Sequence, residues 1–475
     1  MKTDVLIVGG GPSGLAAAYE VASRGYTVTI VEEAWKLGGQ MKQQTQVIDD
    51  MPAPWAGLRG FQVVDALVER LKEYPIEYLL SHEVIGLYAD GSVGVSDGKK
   101  LLKINPSSII VATGAAESSL AFSGWTLPGV MTIGAAQIFI NRERVYPGKT
   151  ALIIGSSDMA LEITRQMHDV GIHIVGIVEA AEKLLAKDDK TICSFHETGI
   201  PVLLQAKVIA ATGRDRVESV IESSGIEADA EINIPVDLVC IDGGRQPILE
   251  LLTILHCPLQ YRKELGGWVP CYRSTFESHS RGIFIAGQAA GITCQAGVFL
   301  TGAIAGIGIV DYLEKETTAE REITRQAYWD ELKQIEGIHL PTVWLERLAH
   351  MKDCLTSNFP KQGGYILDQS TVICRCEEIT VGDVENALAQ GAETFDDVKR
   401  LTRVGMGICQ GKTCGRIISE LIAISKNKAI ADIPVSRLRM PLRPILMGVL
   451  ARSDSDSSTL YDLLEDAINE ERQGN

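Results

Sequence analysis

One local unit, written twice, constrains this chain most. Val5-Leu6-Ile7-Val8 has the pattern of a buried strand, and Gly9-Gly10-Gly11-Pro12-Ser13-Gly14 follows at once and opens a helix. A second strand, Thr27 to Val31, runs into the acid Glu32. Later the order returns: a strand at Thr150 to Ile154, the turn Gly155-Ser156-Ser157-Asp158-Met159-Ala160, a helix, a strand at His173 to Val178, and the acid Glu179. Strand, tight turn, helix and strand in repeated order build parallel sheets covered by helices. The expectation is an α/β chain with two nucleotide-type domains.

The first turn is complete in its chemistry. Gly9 permits the tight bend, Gly11 lets the backbone approach a pyrophosphate, and Gly14 lets helix and strand pack closely. Pro12 and Ser13 begin the helix, whose free N–H groups and positive dipole end favour phosphate. Glu32 lies at the distance expected of a carboxylate that binds a ribose. The bland alternative is a tight turn with no ligand. The second turn keeps Gly155 but has Ser157 where close phosphate approach needs glycine. With Glu179 intact, it reads either as an altered site for a second adenine nucleotide or as a structural relic. Routine hydride transfer from a nicotinamide is not expected there, and NADPH least of all, because no basic residue replaces Glu179.

Length, 475 residues, allows about three domains. The net charge of −16 argues against nucleic acid and anionic lipid as partners. The apolar stretch Gly282 to Leu313 invites a membrane reading, but Gln288, Thr293, Gln295 and Thr301 interrupt it. A strand, a loop and a buried helix explain it better, so no transmembrane segment is expected. With no visible export signal the chain is expected in the cytoplasm, and its ten cysteines as thiols or metal ligands rather than disulfides.

Four cysteines are grouped. Cys374-Arg375-Cys376 is followed by Cys409 and Cys414 in a glycine-rich run from Gly405 to Gly415. Thr380 with Asp383, and Thr394 with Asp397, mark two helix caps between the pairs. Four thiolates so spaced suit a 2Fe–2S cluster, whose sulfurs the exposed amides of a glycine turn can tune. Cys414 sits where a helix begins, which favours its thiolate form. A four-cysteine zinc site is the alternative. A redox disulfide between Cys409 and Cys414 would leave Cys374 and Cys376 unexplained. Cys193, Cys240, Cys257, Cys271, Cys294 and Cys354 are scattered and read as small hydrophobes.

Three more segments join the first turn: Leu37-Gly38-Gly39-Gln40, the strand Ile109 to Val111 ending in Ala112-Thr113-Gly114, and Gly282 to Gln288. In this order they resemble the FAD domain of the two-dinucleotide-binding flavoprotein oxidoreductases, the thioredoxin reductase-like group. The resemblance implies FAD held by Gly9, Gly11, Pro12, Ser13, Gly14, Glu32, Gly39, Gln40, Ala112, Thr113, Gly114, Gly287 and Gln288. That family carries Asp after its last glycine, where this chain has Gln288. Its disulfide reductases carry a cysteine pair near the flavin, whereas the first cysteine here is Cys193.

The cysteine region resembles the bacterioferritin-associated ferredoxin-like 2Fe–2S domain, with Cys374, Cys376, Cys409 and Cys414 as ligands. Phe122-Ser123-Gly124-Trp125-Thr126-Leu127-Pro128-Gly129-Val130 and Arg439-Met440-Pro441-Leu442-Arg443-Pro444 extend the likeness over nearly the whole chain. Together they resemble the alpha subunit of dye-linked amine dehydrogenases: proline and hydroxyproline dehydrogenases, opine oxidases and hydrogen cyanide synthase. The implied architecture is two Rossmann-like domains plus a small, mostly helical 2Fe–2S domain. The FAD domain comprises 1–116 and 245–315, the degenerate second domain 117–244, a helical linker 316–370, the cluster domain 371–427 and a tail 428–475.

The implied function is an electron-transfer subunit, carrying FAD and a 2Fe–2S cluster, of an enzyme that oxidises CH–NH or CH–NH2 donors and passes electrons to an acceptor other than O2. The implied partners are a glycine-oxidase-like FAD subunit together with a small ferredoxin-like subunit. Two rivals are a standalone NAD(P)H-dependent flavin oxidoreductase and a non-enzymatic iron–sulfur sensor or scaffold. No side chain is assigned as a general base; His173 and His196 read as surface or satisfied core residues.

Overall fold

The computed structural model describes residues 1–88, 90–224, 231–339 and 367–451. Cys354, residues 340–366 of the expected linker and residues 452–475 of the expected tail lie outside them. Two compact units divide the chain: Met1–Ala115 with Gln246–Leu355 and Arg437–Asn475, and Ala116–Arg245 with Thr356–Ser436.

In the first unit the strand Lys2–Val8 lies parallel to Val28–Glu32 on one side and to Leu101–Val111 on the other. Ile76–Leu80 extends the sheet beyond Val28–Glu32, and Ile283–Ile285 pairs parallel with Leu101–Val111. Val5, Leu6 and Ile7 have no exposed surface, as a central strand covered on both faces requires. The helix Gln295–Glu314 is long and apolar enough to cross a membrane, yet 89% of its apolar window is buried within the protein. Two glycines on one of its faces explain its fit against the helix Pro12–Ala22. A Cβ on Gly302 would stand 2.1 Å from the Ser13 carbonyl oxygen, and one on Gly306 would stand 2.8 Å from that of Ala17. The segment around Arg439 to Pro444 returns to this unit. Leu442 N–H donates to the Ile85 carbonyl at 2.8 Å, and Gly86 leaves room for Met440.

The second unit repeats the parallel arrangement. Its sheet runs in the order Val130–Thr132, Leu238–Ile241, Thr150–Ile154, His173–Glu179 and Val202–Leu204. An antiparallel sheet of Ala206–Thr212, Ser219–Ser224 and Glu231–Pro235 follows. The cysteine region adds the hairpin Val372–Cys374 with Ile379–Thr380 and the helices Val381–Ala389, Phe395–Thr402 and Gly415–Lys426. Thr380 with Asp383 and Thr394 with Asp397 each close a reciprocal capping box. Phe122, Trp125 and Val239 share one buried cluster with Ile373, Val384, Phe395 and Ile418. The cysteine region and the second parallel sheet therefore have a continuous core.

Candidate functional site

In the first unit the turn after Lys2–Val8 gathers four separate segments. Gly9 adopts φ +110°, and a Cβ there would lie 2.3 Å from the Ala112 carbonyl oxygen. A Cβ on Gly14 would lie 2.0 Å from the Gly9 carbonyl, so helix and turn touch. Glu32 receives the Gly10 amide at 2.7 Å on one carboxylate oxygen and the Ala34 amide at 2.8 Å on the other. Burial pushes its carboxyl above the ordinary carboxylate range, against the opposing pull of those two amides. Each oxygen keeps a lone pair for a ribose hydroxyl.

The surrounding loops close on this turn. Gly38 N–H donates to the Gly10 carbonyl at 2.8 Å, and a Cβ on Gly39 would come within 3.1 Å of the Gly11 Cα. Gln40 donates to the Ala115 carbonyl at 2.8 Å, and Thr113 Oγ1 to the Ile248 carbonyl at 2.9 Å. Gly114 accepts from the Ile248 amide at 3.0 Å. Gly287 leaves space for Ser13, whose Oγ would be 2.5 Å from an added Cβ. Gln288 is buried, and its amide reaches the Thr293 carbonyl at 3.4 Å.

Gly11 tests whether a cofactor fits. Its φ of −74° suits any residue, and an added Cβ would find only the Gly39 Cα, 4.0 Å away. Neither backbone strain nor packing within the protein requires glycine here. The helix Pro12–Ala22 has no side-chain cap at Gly11, leaving its first amides for an outside acceptor. Open space, uncapped amides and a buried acid together fit a dinucleotide such as FAD.

The second turn has the same frame with different contents. Glu179 accepts from the Ala181 amide at 2.9 Å and from Ser156 Oγ at 2.6 Å. Gly155 keeps φ +95°. Ser157 turns its hydroxyl back to cap the helix Asp158–Asp169, accepting from the Ala160 amide at 3.3 Å. Its own amide donates to Asp242 Oδ2 at 3.0 Å. Asp242 is absent from the sequence expectation. The available signal was an acid at the end of the strand Leu238–Ile241, immediately before Gly243-Gly244.

The four grouped cysteines come together. Cys376 is hydrogen-bonded with Cys409 and Cys414 with Cys374, and Cys414 also feels Cys409 as Cys376 feels Cys374. Cys374 and Cys414 are buried, Cys376 is exposed and Cys409 is half-buried. The loop carrying Cys409 packs on Cys376, since a Cβ on Gly407 would lie 2.1 Å from the Cys376 Cβ. Burial opposes ionisation of Cys409, but the Thr413 and Gly411 amides and the Cys376 thiol prevail and lower its pKa. Cys414 departs from expectation. It stands at the N-cap position of the helix Gly415–Lys426 without a side-chain cap bond, and burial, then the neighbouring Cys374 and Cys409, push its thiol upward.

Among the described residues no disulfide forms, and no group of three or more His, Cys, Asp or Glu side chains converges closely enough to hold one ion. Four neighbouring thiols are chemically competent ligands for iron or zinc once ionised.

Two family models match this chain, one after the other. The family model described as pyridine nucleotide-disulphide oxidoreductase matches residues 3–305, and the sarcosine oxidase A3 domain matches residues 368–453. The chain is 26% identical to an opine oxidase subunit of Agrobacterium tumefaciens, covering 94% of this chain and 91% of that one. It is 28% identical to the hydrogen cyanide synthase subunit HcnB of Pseudomonas protegens, covering 96% and 99%. It is 24% identical to the alpha subunit of sarcosine oxidase from a Corynebacterium, covering 95% of this chain but 45% of that protein. L-proline dehydrogenase from P. horikoshii has the same fold at TM-score 0.73 and 23% identity, over 95% of this chain and 80% of that one. Thioredoxin reductase of T. acidophilum shares the fold over 66% of this chain, at TM-score 0.54 and 18% identity.

Proposed function

Because the chain belongs to the pyridine nucleotide-disulphide oxidoreductase family, we propose that it is the electron-transfer subunit, carrying FAD and a 2Fe–2S cluster, of a multi-subunit dehydrogenase. The substrate is an amine or amino acid of the proline, hydroxyproline, opine or glycine type. Relatives over nearly its full length are named as subunits of an opine oxidase and a hydrogen cyanide synthase. The partners are a glycine-oxidase-like flavoprotein subunit, which meets the substrate, and a small ferredoxin-like subunit. A reducing compartment, the cytoplasm, suits thiols that stay free as ligands.

One observation carries the reading: a single chain contains both the open Gly11 cradle and two thiol pairs. Its own residues bind and orient. The amides at the start of Pro12–Ala22 would hold the pyrophosphate, Glu32 the ribose, and Cys374, Cys376, Cys409 and Cys414 the irons. When bound, FAD and the cluster supply two-electron and one-electron chemistry that these side chains lack.

The test is purification of the tagged chain with its natural partners, followed by dye reduction with proline, hydroxyproline, glycine and an opine. Dye reduction by one of these, requiring a co-purified flavoprotein subunit, is the expected result. Rapid dye reduction by NADH with the chain alone would overturn the assignment.

A further inference from the structure

The two nucleotide-type turns can be compared position by position within this one chain. Ala112 donates its amide to the Val8 carbonyl at 2.9 Å, and Asp242 donates its amide to the Ile154 carbonyl at 2.7 Å. The Ala112 oxygen would lie 2.3 Å from a Cβ on Gly9, and the Asp242 oxygen 2.5 Å from a Cβ on Gly155. Ala112 and Asp242 therefore hold equivalent places, as do Gly11 and Ser157. The first turn has a methyl group where the second has a carboxylate.

That carboxylate is engaged. One oxygen takes the Ser157 amide at 3.0 Å and the other the Gly244 amide at 3.3 Å. The Ser157 amide is among those that face a phosphate in an open turn. A second acid fastens the neighbouring chain: Asp158 Oδ1 accepts from the Lys187 and Asp188 amides, both at 2.9 Å. Ser156 adds two bonds to the same segment, from the Leu185 amide at 2.9 Å and the Ala186 amide at 2.8 Å. An arriving pyrophosphate would meet the charges of Asp242 and Asp158 and the side chain of Ser157.

We propose that Asp242 is an internal stand-in for a nucleotide phosphate. Its carboxylate occupies the anion seat at the start of the helix Asp158–Asp169 and, with Ser157, closes the second unit to ADP-containing dinucleotides. Asp242 is thus the residue that sets nucleotide specificity in this unit, and it does so by exclusion. The test rests on the proposed FAD site, and flavin content, measured first, separates a failure of that reading from a failure of this one.

Isothermal titration of the FAD-loaded full chain with ADP and with NADH tests it. The FAD-loaded form is used so that the first site is filled. Wild type should bind neither more tightly than about 1 mM. Asp242→Ala combined with Ser157→Gly should bind ADP at least tenfold more tightly than wild type. Asp242→Asn keeps size but removes charge, so it should show a smaller gain in the same direction. It decides the matter if the double variant fails to fold. Micromolar binding of ADP by wild type would overturn the proposal, as would an Asp242→Asn protein of unchanged affinity.

Discussion

The guanidinium of Arg375 lies over the ring of Trp125, 4.0 Å from its centroid, and donates to the Trp125 carbonyl. Arg375 separates two of the grouped cysteines, so its side chain fastens their hairpin to the segment preceding the second parallel sheet. Trp125 completes the joint: its indole N–H donates to the Val372 carbonyl at 2.6 Å, and its ring is 1% exposed. Burial lowers the Arg375 pKa, although it remains a cation at neutral pH.

Trp125→Ala should therefore cost about 3–5 kcal/mol from lost packing. It should also loosen the Cys374–Cys376 hairpin. Trp125→Phe keeps most of the buried ring and forfeits chiefly one hydrogen bond, about 0.5–1.5 kcal/mol. Thermal unfolding with iron analysis checks the pair. Equal iron retention by wild type and Trp125→Ala would show that the joint does not position the cysteines.

Gly11 and Gly14 should separate binding from folding. Gly11→Ala adds a methyl to open space, so the flavin-free protein should melt as wild type does while FAD affinity falls at least tenfold. Gly14→Ala places a methyl against the Gly9 carbonyl, and the first unit should lose stability whether or not flavin is present. Melting curves with and without added FAD distinguish the two outcomes.

Gly302→Ala should act on the same turn from the opposite side. Its methyl would meet the Ser13 carbonyl, and such overpacking costs about 1–3 kcal/mol. Because Ser13 is displaced, flavin release on dilution should be faster than in wild type. A flavin release rate equal to that of wild type would show that the close approach of the two helices has no effect on the turn.

Cys409→Ser should remove the iron signal and leave bound flavin unchanged. In the assembled enzyme it should abolish dye reduction, whereas substrate should still bleach the flavin of the partner subunit. Anaerobic stopped-flow mixing resolves these two steps.

The glycine turns were legible because their chemistry is local. Gly14 and Glu32 are fixed by contacts within one strand–turn–helix–strand unit, Gly9 by its positive φ as well as by the distant Ala112, and the two capping boxes by contacts three residues apart. The roles of Trp125 and Asp242 were not legible. Trp125 meets Val372 across 247 residues and Ser157 meets Asp242 across 85, distances that no periodicity reports. Cys414 shows a different limit. Its helix-start position was visible, but the burial that governs its thiol arises from packing against the second unit's core.

Flavin, iron and labile sulfide counted on one anaerobically purified sample, with low-temperature electron paramagnetic resonance after dithionite, test the central claim most directly. The account requires one FAD with about two irons and two sulfides per chain and a reduced-cluster signal that Cys409→Ser removes. Stoichiometric zinc without iron or sulfide, or a chain that neither carries nor takes up FAD, would contradict it.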